Sequence, residues 1–326
     1  MLECIKFTGS KYEWDEFIES FGDNDFRQTY DWGEYLKSTG SDIERFVFKE
    51  KNIIKFCVQY VYKKFWPFYN IYLPSGIIGD SKYVEHFLNE IKKRYKSYFI
   101  YFRIDSRKEI DVENLEKLLK IGLKKTIYSI RSREHMKIFL NEEIDQILVN
   151  AKQKWRYNYR KALKKNIKIY TLDNINPNEI YKLCEELSKF KGIRYLYSLH
   201  DLKEFKKKLG NNIHCVRATD QDSNVVAYYM CIIHKNIAYQ IFNAVNERGN
   251  KLMAGYTILF HVIKSLKEKK ITELDIGEIN KKRYPGNFQF KRSFNQKTFK
   301  VIGEYEWYSN IFLRYLINFY MFLTKA

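Results

Sequence analysis

The sequence predicts an α+β protein built as two lobes, each a mostly antiparallel mixed sheet flanked by helices. Three observations carry this expectation. A chain of 326 residues exceeds what one hydrophobic core supports, so two domains of ordinary size are the default. Strand-length apolar runs bounded by turn residues alternate with amphipathic stretches of helical period. A strand-strand-strand-helix-strand order occurs twice without sequence repetition, once on each side of residue 150, so the expected domains are 1–150 and 151–326.

Composition narrows the class. With 45% apolar and 17% aromatic residues and only four prolines, the chain has ample core and is globular. Cys4, Cys57, Cys184, Cys215 and Cys231 are scattered without a CxxC pair, which argues for a reducing compartment and against a zinc site or disulfide framework. The opening MLECIKFTGSKYEW lacks a signal-peptide apolar run, so a cytoplasmic protein is expected. The net charge of +19 is unevenly placed: residues 1–150 hold 25 Lys and Arg against 24 Asp and Glu, residues 151–326 hold 33 against 15. Such a half should attract RNA, an acidic membrane surface or phosphorylated substrates.

Residues 13–37 read as a helical entrance, with Gln28, Trp32, Tyr35 and Lys37 on an amphipathic turn and helix. Strands follow at Phe46–Phe48, Ile53–Val61 and Tyr69–Leu73, the first two joined by a hairpin turn at Glu50–Asn52. Pro74, Gly76 and Gly79 make LPSGIIGD a loop ahead of a helix over 81–96, a place where backbone N–H groups can meet an anion. Tyr98–Ile104 suits a buried strand that delivers Arg103 and Asp105 at its exit. Leu115, Leu118 and Leu119 with Gly122 predict a helix and its stop, and Thr126–Ile130 a further strand.

Lys152–Lys168 (KQKWRYNYRKALKKNIK) holds eight cations and no acid. Trp155, Tyr159, Ala162 and Leu163 recur at helical spacing, so the stretch reads as a helix with an apolar stripe inward and positive charge outward. A merely solvated face would mix in acids four residues away. Arg156, Arg160, Lys161 and Lys164 are therefore candidate contacts to RNA or another polyanion. After a strand at Ile167–Leu172, helices are expected over 178–190 and 199–209. Between them Arg194, flanked by Tyr195 and Tyr197, suits a bidentate grip on phosphate or carboxylate.

Strands at His214–Ala218, Val225–Ile233 and Ala238–Val245 and a helix over 251–269 lead to residues 271–294, ITELDIGEINKKRYPGNFQFKRSF. Ile271–Ile276 reads as a strand that stops at Gly277. A loop then ends in an aromatic-basic alternation of Phe288, Phe290, Lys291, Arg292 and Phe294. Fixed cations beside rings at a strand exit suit holding phosphates or stabilising an oxyanion; the plainer reading makes the rings core and the cations a solvated rim. A last strand at Lys300–Trp307 precedes an apolar end, residues 307–323. That end is short for a membrane span and carries Arg314 and Asn318 at its middle, so it reads as a helix packed on the protein, or else lying at a membrane surface.

In order and spacing, QTYDWGEYLK, YLPSGIIGD, FRID, KWRYNYRKALKKNIK, LDIGEI and FKRSF together resemble the Fem-type aminoacyltransferases, tRNA-dependent ligases that build peptidoglycan cross-bridges. The resemblance implies two tandem lobes of the Gcn5-related N-acetyltransferase (GNAT) fold, residues 1–150 on the acceptor side and 151–326 on the acyl-donor side. It implies that Lys37 and Arg194 hold the diphosphate of a nucleotide-linked cell-wall precursor and that Lys291 stabilises the reacting ester carbonyl. Tyr239 would line the acceptor channel and Asp105 would face the substrate peptide. Arg292 and Phe290 join Lys291 as candidate substrate contacts. The helical-hairpin arm of some members is absent, so the chain is similar to the short, arm-less ones. The implied donor is a charged tRNA at its acceptor end, with no resident cofactor and no metal. The acceptor would be a nucleotide- or lipid-linked envelope precursor. Apart from the resemblance, the alternative reading of the apolar end makes 307–323 a peripheral contact at the inner face of the membrane.

Two rivals share the expected fold. An acyl-CoA-dependent N-acyltransferase acting on a surface-polysaccharide sugar would present an Arg/Gln-x-x-Gly-x-Gly/Ala loop before a helix. The nearest segment, ERGNKLMAG, has Lys251 where the first glycine belongs. A basic RNA- or membrane-binding relative without activity is opposed by the joint presence of Lys37, Arg194 and Lys291. No Ser/His/Asp, Cys/His or HExxH arrangement is present, which fits transfer in which substrate groups carry the protons and equally fits a non-enzyme.

Overall fold

The computed structural model describes residues 2–22, 25–76, 78–191 and 197–325. Two compact units are formed, Met1–Arg133 with Lys300–Ala326, and Glu134–Phe299. The boundary thus lies before residue 150, and the first unit is closed by a segment from the far end of the sequence. The charge asymmetry follows the units: the second holds 31 Lys and Arg against 17 acids, the first 27 against 22.

In the first unit the sheet runs Leu2–Lys6, Asp42–Glu50, Ile53–Phe65, Phe68–Pro74, Phe99–Glu109, Thr298–Tyr308. All neighbours pair antiparallel except Phe68–Pro74 with Phe99–Glu109, a parallel pair that needs the crossover helix Val84–Arg94. The hairpin turn after Glu50 is as expected: Lys51 and Asn52 both take positive φ, 49° and 64°, the conformation a two-residue turn requires. Phe48, Phe56, Phe87 and Phe102 pack the helix onto the sheet.

Gln28 is fully buried and ties the entrance segment to this sheet. Its Nε2 donates to Gln59 O at 3.0 Å and Pro74 O at 2.6 Å, and its Oε1 accepts from Gln59 N at 2.8 Å. Arg45 Nε donates to Gln59 Oε1 at 2.6 Å. Thr29 then caps the helix Tyr30–Ser38, and Gly33 gives the room that Gln59 and Arg45 fill. The segment QTYDWGEYLK is therefore foremost a structural joint.

In the second unit the sheet runs Glu134–Phe139, Glu273–Glu278, Ile237–Val245, Val225–His234, Ile213–Thr219, Lys168–Leu172. The one parallel pair, Ile237–Val245 with Glu273–Glu278, is bridged by the helix Ala254–Glu268, whose Ile258, Val262, Ile263 and Leu266 join the core around Trp155.

Several local expectations are corrected. No strand forms over Thr126–Ile130, because Glu304 accepts from the N–H groups of Ile130 and Arg131, both at 3.1 Å, where a ladder partner would otherwise be needed; the strand is Glu134–Phe139. Arg103 and Asp105 do not mark a strand exit. The strand runs on to Glu109 and buries both, Arg103 against Glu304 at 3.0 Å. The strand at Glu273–Glu278 passes through Gly277, whose φ of 79° makes a bulge. The expected loop ending in Phe294 is a helix, Pro285–Phe294, because proline is at home in a first turn and Lys291 and Phe294 share its buried face. The basic helix is shorter than its charge run, Gln153–Leu163, and Leu163 faces solvent. The helix expected over 251–269 is two, Glu247–Leu252 and Ala254–Glu268, broken at Met253 in the left-handed region.

Candidate active site

The parallel strands of the second unit pair at only three positions, Ile237 with Glu273, Ala238 with Leu274 and Tyr239 with Asp275. Past Asp275 the backbone bulges at Gly277, whose N–H turns to Asp275 Oδ1 at 2.7 Å. Carbonyl groups of this stretch are taken by a side chain. Lys291, 4% exposed on the helix Pro285–Phe294, donates from Nζ to Ile276 O at 2.5 Å and to Glu278 O at 3.0 Å.

Burial lowers the pKa of Lys291 to about 8, while Asp275 and Glu278 pull it upward. At neutral pH the group is still mostly an ammonium. Two of its three N–H donors are fixed by carbonyls, and among the described residues the third has no protein acceptor. A fixed cationic donor in a dry setting is what stabilises charge developing on a reacting carbonyl oxygen.

Neighbouring candidates take different places. Tyr239 lies half-buried on the strand beside Asp275, and so close in the sheet to the carbonyls that hold Lys291. Phe290 packs against Trp155 and Tyr256 and belongs to the core. Arg292 pairs with Glu134 at 2.6 Å and lies over the Phe288 ring. On the helix Gln153–Leu163, Arg156 is tied to Val149 O at 2.7 Å, whereas Arg160 and Lys161, with Lys164 at the helix C-cap, are exposed and form no ion pair among the described residues.

Lys37 and Asp105 belong to the first unit. Lys37 is half-exposed and pairs with Glu34 at 2.9 Å, which Arg45 also holds at 2.9 Å. Asp105 is buried: burial pushes its carboxyl up, but Arg107, Arg131 and Arg27 outweigh that and hold it below the usual carboxylate range. Arg107 Nε lies at 3.3 Å, Arg131 Nε at 3.6 Å and Tyr72 OH at 3.2 Å. These partners were missed by sequence reasoning. Arg107 stands two residues from Asp105, the spacing that shares a strand face, and was the one legible signal. Arg194 lies outside the described residues.

Each unit thus carries a mostly antiparallel sheet with one parallel crossover, and the class is that of tandem GNAT-like folds. A model of the FemAB family matches residues 194–321. The solved structure of FemX superposes with a TM-score of 0.79 at 16% identity, over 96% of this chain and all of that one. L-PGS from Bacillus licheniformis gives 0.59 at 12% identity, over 95% and 96% of the two chains. The tandem GNAT protein from the clavulanic acid biosynthesis pathway gives 0.58 at 10% identity, over 95% and 99%. A search of curated proteins finds no match. At these identities the structural likenesses establish the fold. The chain has a tandem GNAT-like fold, and its residues 194–321 match the FemAB family model.

Proposed function

We propose that the protein is an acyltransferase that forms an amide on an amine of a cell-envelope precursor, with aminoacyl-tRNA as donor. The observation that carries this reading is the buried ammonium of Lys291, fixed by two carbonyls of the strand end beside Tyr239 and lying inside the segment matched by the FemAB family. FemX and L-PGS as fold relatives support envelope chemistry. The acceptor amine attacks the aminoacyl ester carbon, and Lys291 stabilises the oxyanion. The C–O bond to the ribose then breaks, and the leaving hydroxyl takes up the proton that the amine gives off. Tyr239 and Arg292 serve as substrate contacts, and Arg160, Lys161 and Lys164 meet the tRNA backbone.

An acyl-CoA donor fits less well. The segment where a pyrophosphate loop belongs is folded as the helix Glu247–Leu252. Arg248 is taken by Asp220 at 2.7 Å and Asp222 at 2.5 Å, and Gly249 lies so close to Val226 O that an added Cβ would stand 2.4 Å away. The deciding experiment incubates the protein with charged tRNA or acyl-CoA and a panel of amine acceptors. Product from charged tRNA supports the assignment, and product from acyl-CoA alone overturns it. Lys291→Met should lower the transfer rate by about 10²- to 10³-fold with substrate binding largely kept.

A further inference from the structure

The helix Ile311–Lys325 is mounted with Arg314 and Asn318 inward. Arg314 Nε donates to Glu306 Oε1 at 2.6 Å and Nη2 to Lys125 O at 3.0 Å. Asn318 Nδ2 donates to Glu306 Oε2 at 2.8 Å, and its Oδ1 accepts from Tyr128 N at 3.0 Å. Glu306 is fully buried and also accepts from Tyr101 OH at 2.6 Å. The outward face is apolar: Phe312, Tyr315, Leu316, Phe319, Tyr320 and Leu323 are all exposed, Phe312 by 79%. A surface helix normally shows the reverse arrangement, and a contiguous exposed apolar patch marks a docking surface.

The patch extends beyond the helix. A groove of about 1060 Å³ lies between it and Phe68, Phe99, Ile127 and Tyr128, and its walls are almost wholly apolar. The Phe68 ring stands 6.1 Å from Phe99 and 5.4 Å from Phe65, so the surface runs on to the hairpin tip, where Trp66 is 80% exposed. Exposed lysines stand at its margins: Lys63 and Lys64 on the hairpin, Lys96 ahead of Phe99, and Lys124 and Lys125 beside the helix. Among the described residues none of these lysines has a carboxylate partner.

We propose that this face docks on an anionic lipid bilayer, the helix lying in the interfacial plane and Trp66 anchoring at headgroup depth. Aromatic rings above an aliphatic face with lysines around it are the residue types that this boundary selects. The lysines decide the occupant. Two copies joined through this face would bring the same cations together, whereas anionic headgroups neutralise them. Among the described residues no helix is long and apolar enough to cross a membrane, so the contact is one of lying on the surface. This surface belongs to the first unit and does not depend on the transferase reading.

The test is co-sedimentation of the full chain with vesicles of equimolar phosphatidylglycerol and phosphatidylcholine. The protein should pellet with them, and less with phosphatidylcholine alone or at high salt. The double variant Phe312→Ser, Phe319→Ser should lose affinity by about tenfold or more, with unchanged thermal unfolding because both rings are already in solvent. Trp66→Ala should weaken binding several-fold. Failure to pellet, or pelleting that the double variant leaves unaltered, overturns the proposal. So does a dimer seen by light scattering that the double variant dissociates while wild type ignores vesicles, since that outcome assigns the face to a second copy.

Discussion

Lys291 loses more by burial than Asp275 and Glu278 return to it, which sets its pKa near 8. An oxyanion-stabilising role needs the charged form, so transfer should decline as pH rises through about 8. Lys291→Arg, charged throughout, should move that decline upward; single-turnover rates across pH measure both. The stability consequence has the opposite sign. Between about 8 and 10.5 the unfolded chain holds a proton that the folded chain has released, so the burial penalty, full below pH 8, is relieved over that window. The gain is up to about 3 kcal/mol and should vanish in Lys291→Met. His214 behaves alike at acid pH. Burial first, then Lys269 and His261, lower it to about 4 beside Ser265, 2.8 Å away. From pH 6.5 down to 4 the unfolded state takes the proton, and stability should fall by up to about 3 kcal/mol. Chemical denaturation of His214→Gln should show a flatter profile. The identity of Lys291 could be read from FKRSF, but its carbonyl partners could not, since they depend on a bulge at Gly277 and on burial.

At the level of single elements, the entrance segment rests on Gln28. Gln28→Leu would strand Gln59 N, Gln59 O and Pro74 O in the interior, at a cost of about 2–4 kcal/mol readable by thermal unfolding. The basic helix makes a different kind of claim. Changing Arg160, Lys161 and Lys164 to Glu should weaken tRNA binding and reduce its log–log salt slope by about two to three, whereas a flat salt response in the wild type would remove the polyanion role. Long periodic helices and hairpins were legible: Leu199–Leu209 and the turn after Glu50 fall where the pattern puts them. The helix Pro285–Phe294 was not. Its aromatic and basic residues alternate in a way that suggests an extended chain, and only the packing of Phe290 on Trp155 and Tyr256 shows the helical face. Thr126–Ile130 misled for a related reason, because a distant carboxylate, Glu304, supplied the bonds that a neighbouring strand would have supplied.

For the molecule as a whole, the repeated order of strands and helices suggested a domain boundary at residue 150, but order along the chain does not say which strands pair, and the first core is closed by pairing between residues far apart in sequence. Thr298–Tyr308 lies against Phe99–Glu109 and brings Glu304 to Arg103 and Glu306 to Tyr101. Removing residues 300–326 should therefore open amide hydrogen exchange throughout the sheet of Met1–Arg133, because stripping the partner from the buried Arg103 alone costs about 3–5 kcal/mol, while Glu134–Phe299 should stay protected. The same connectivity imposes an order on biosynthesis. During translation the strand Phe99–Glu109 must wait, one side unzipped, until all of 134–299 has left the ribosome. A nascent chain stalled in that interval displays a naked β-edge that can recruit foreign strands, so polysomes are where this fold is most exposed to aggregation and where a chaperone would matter most.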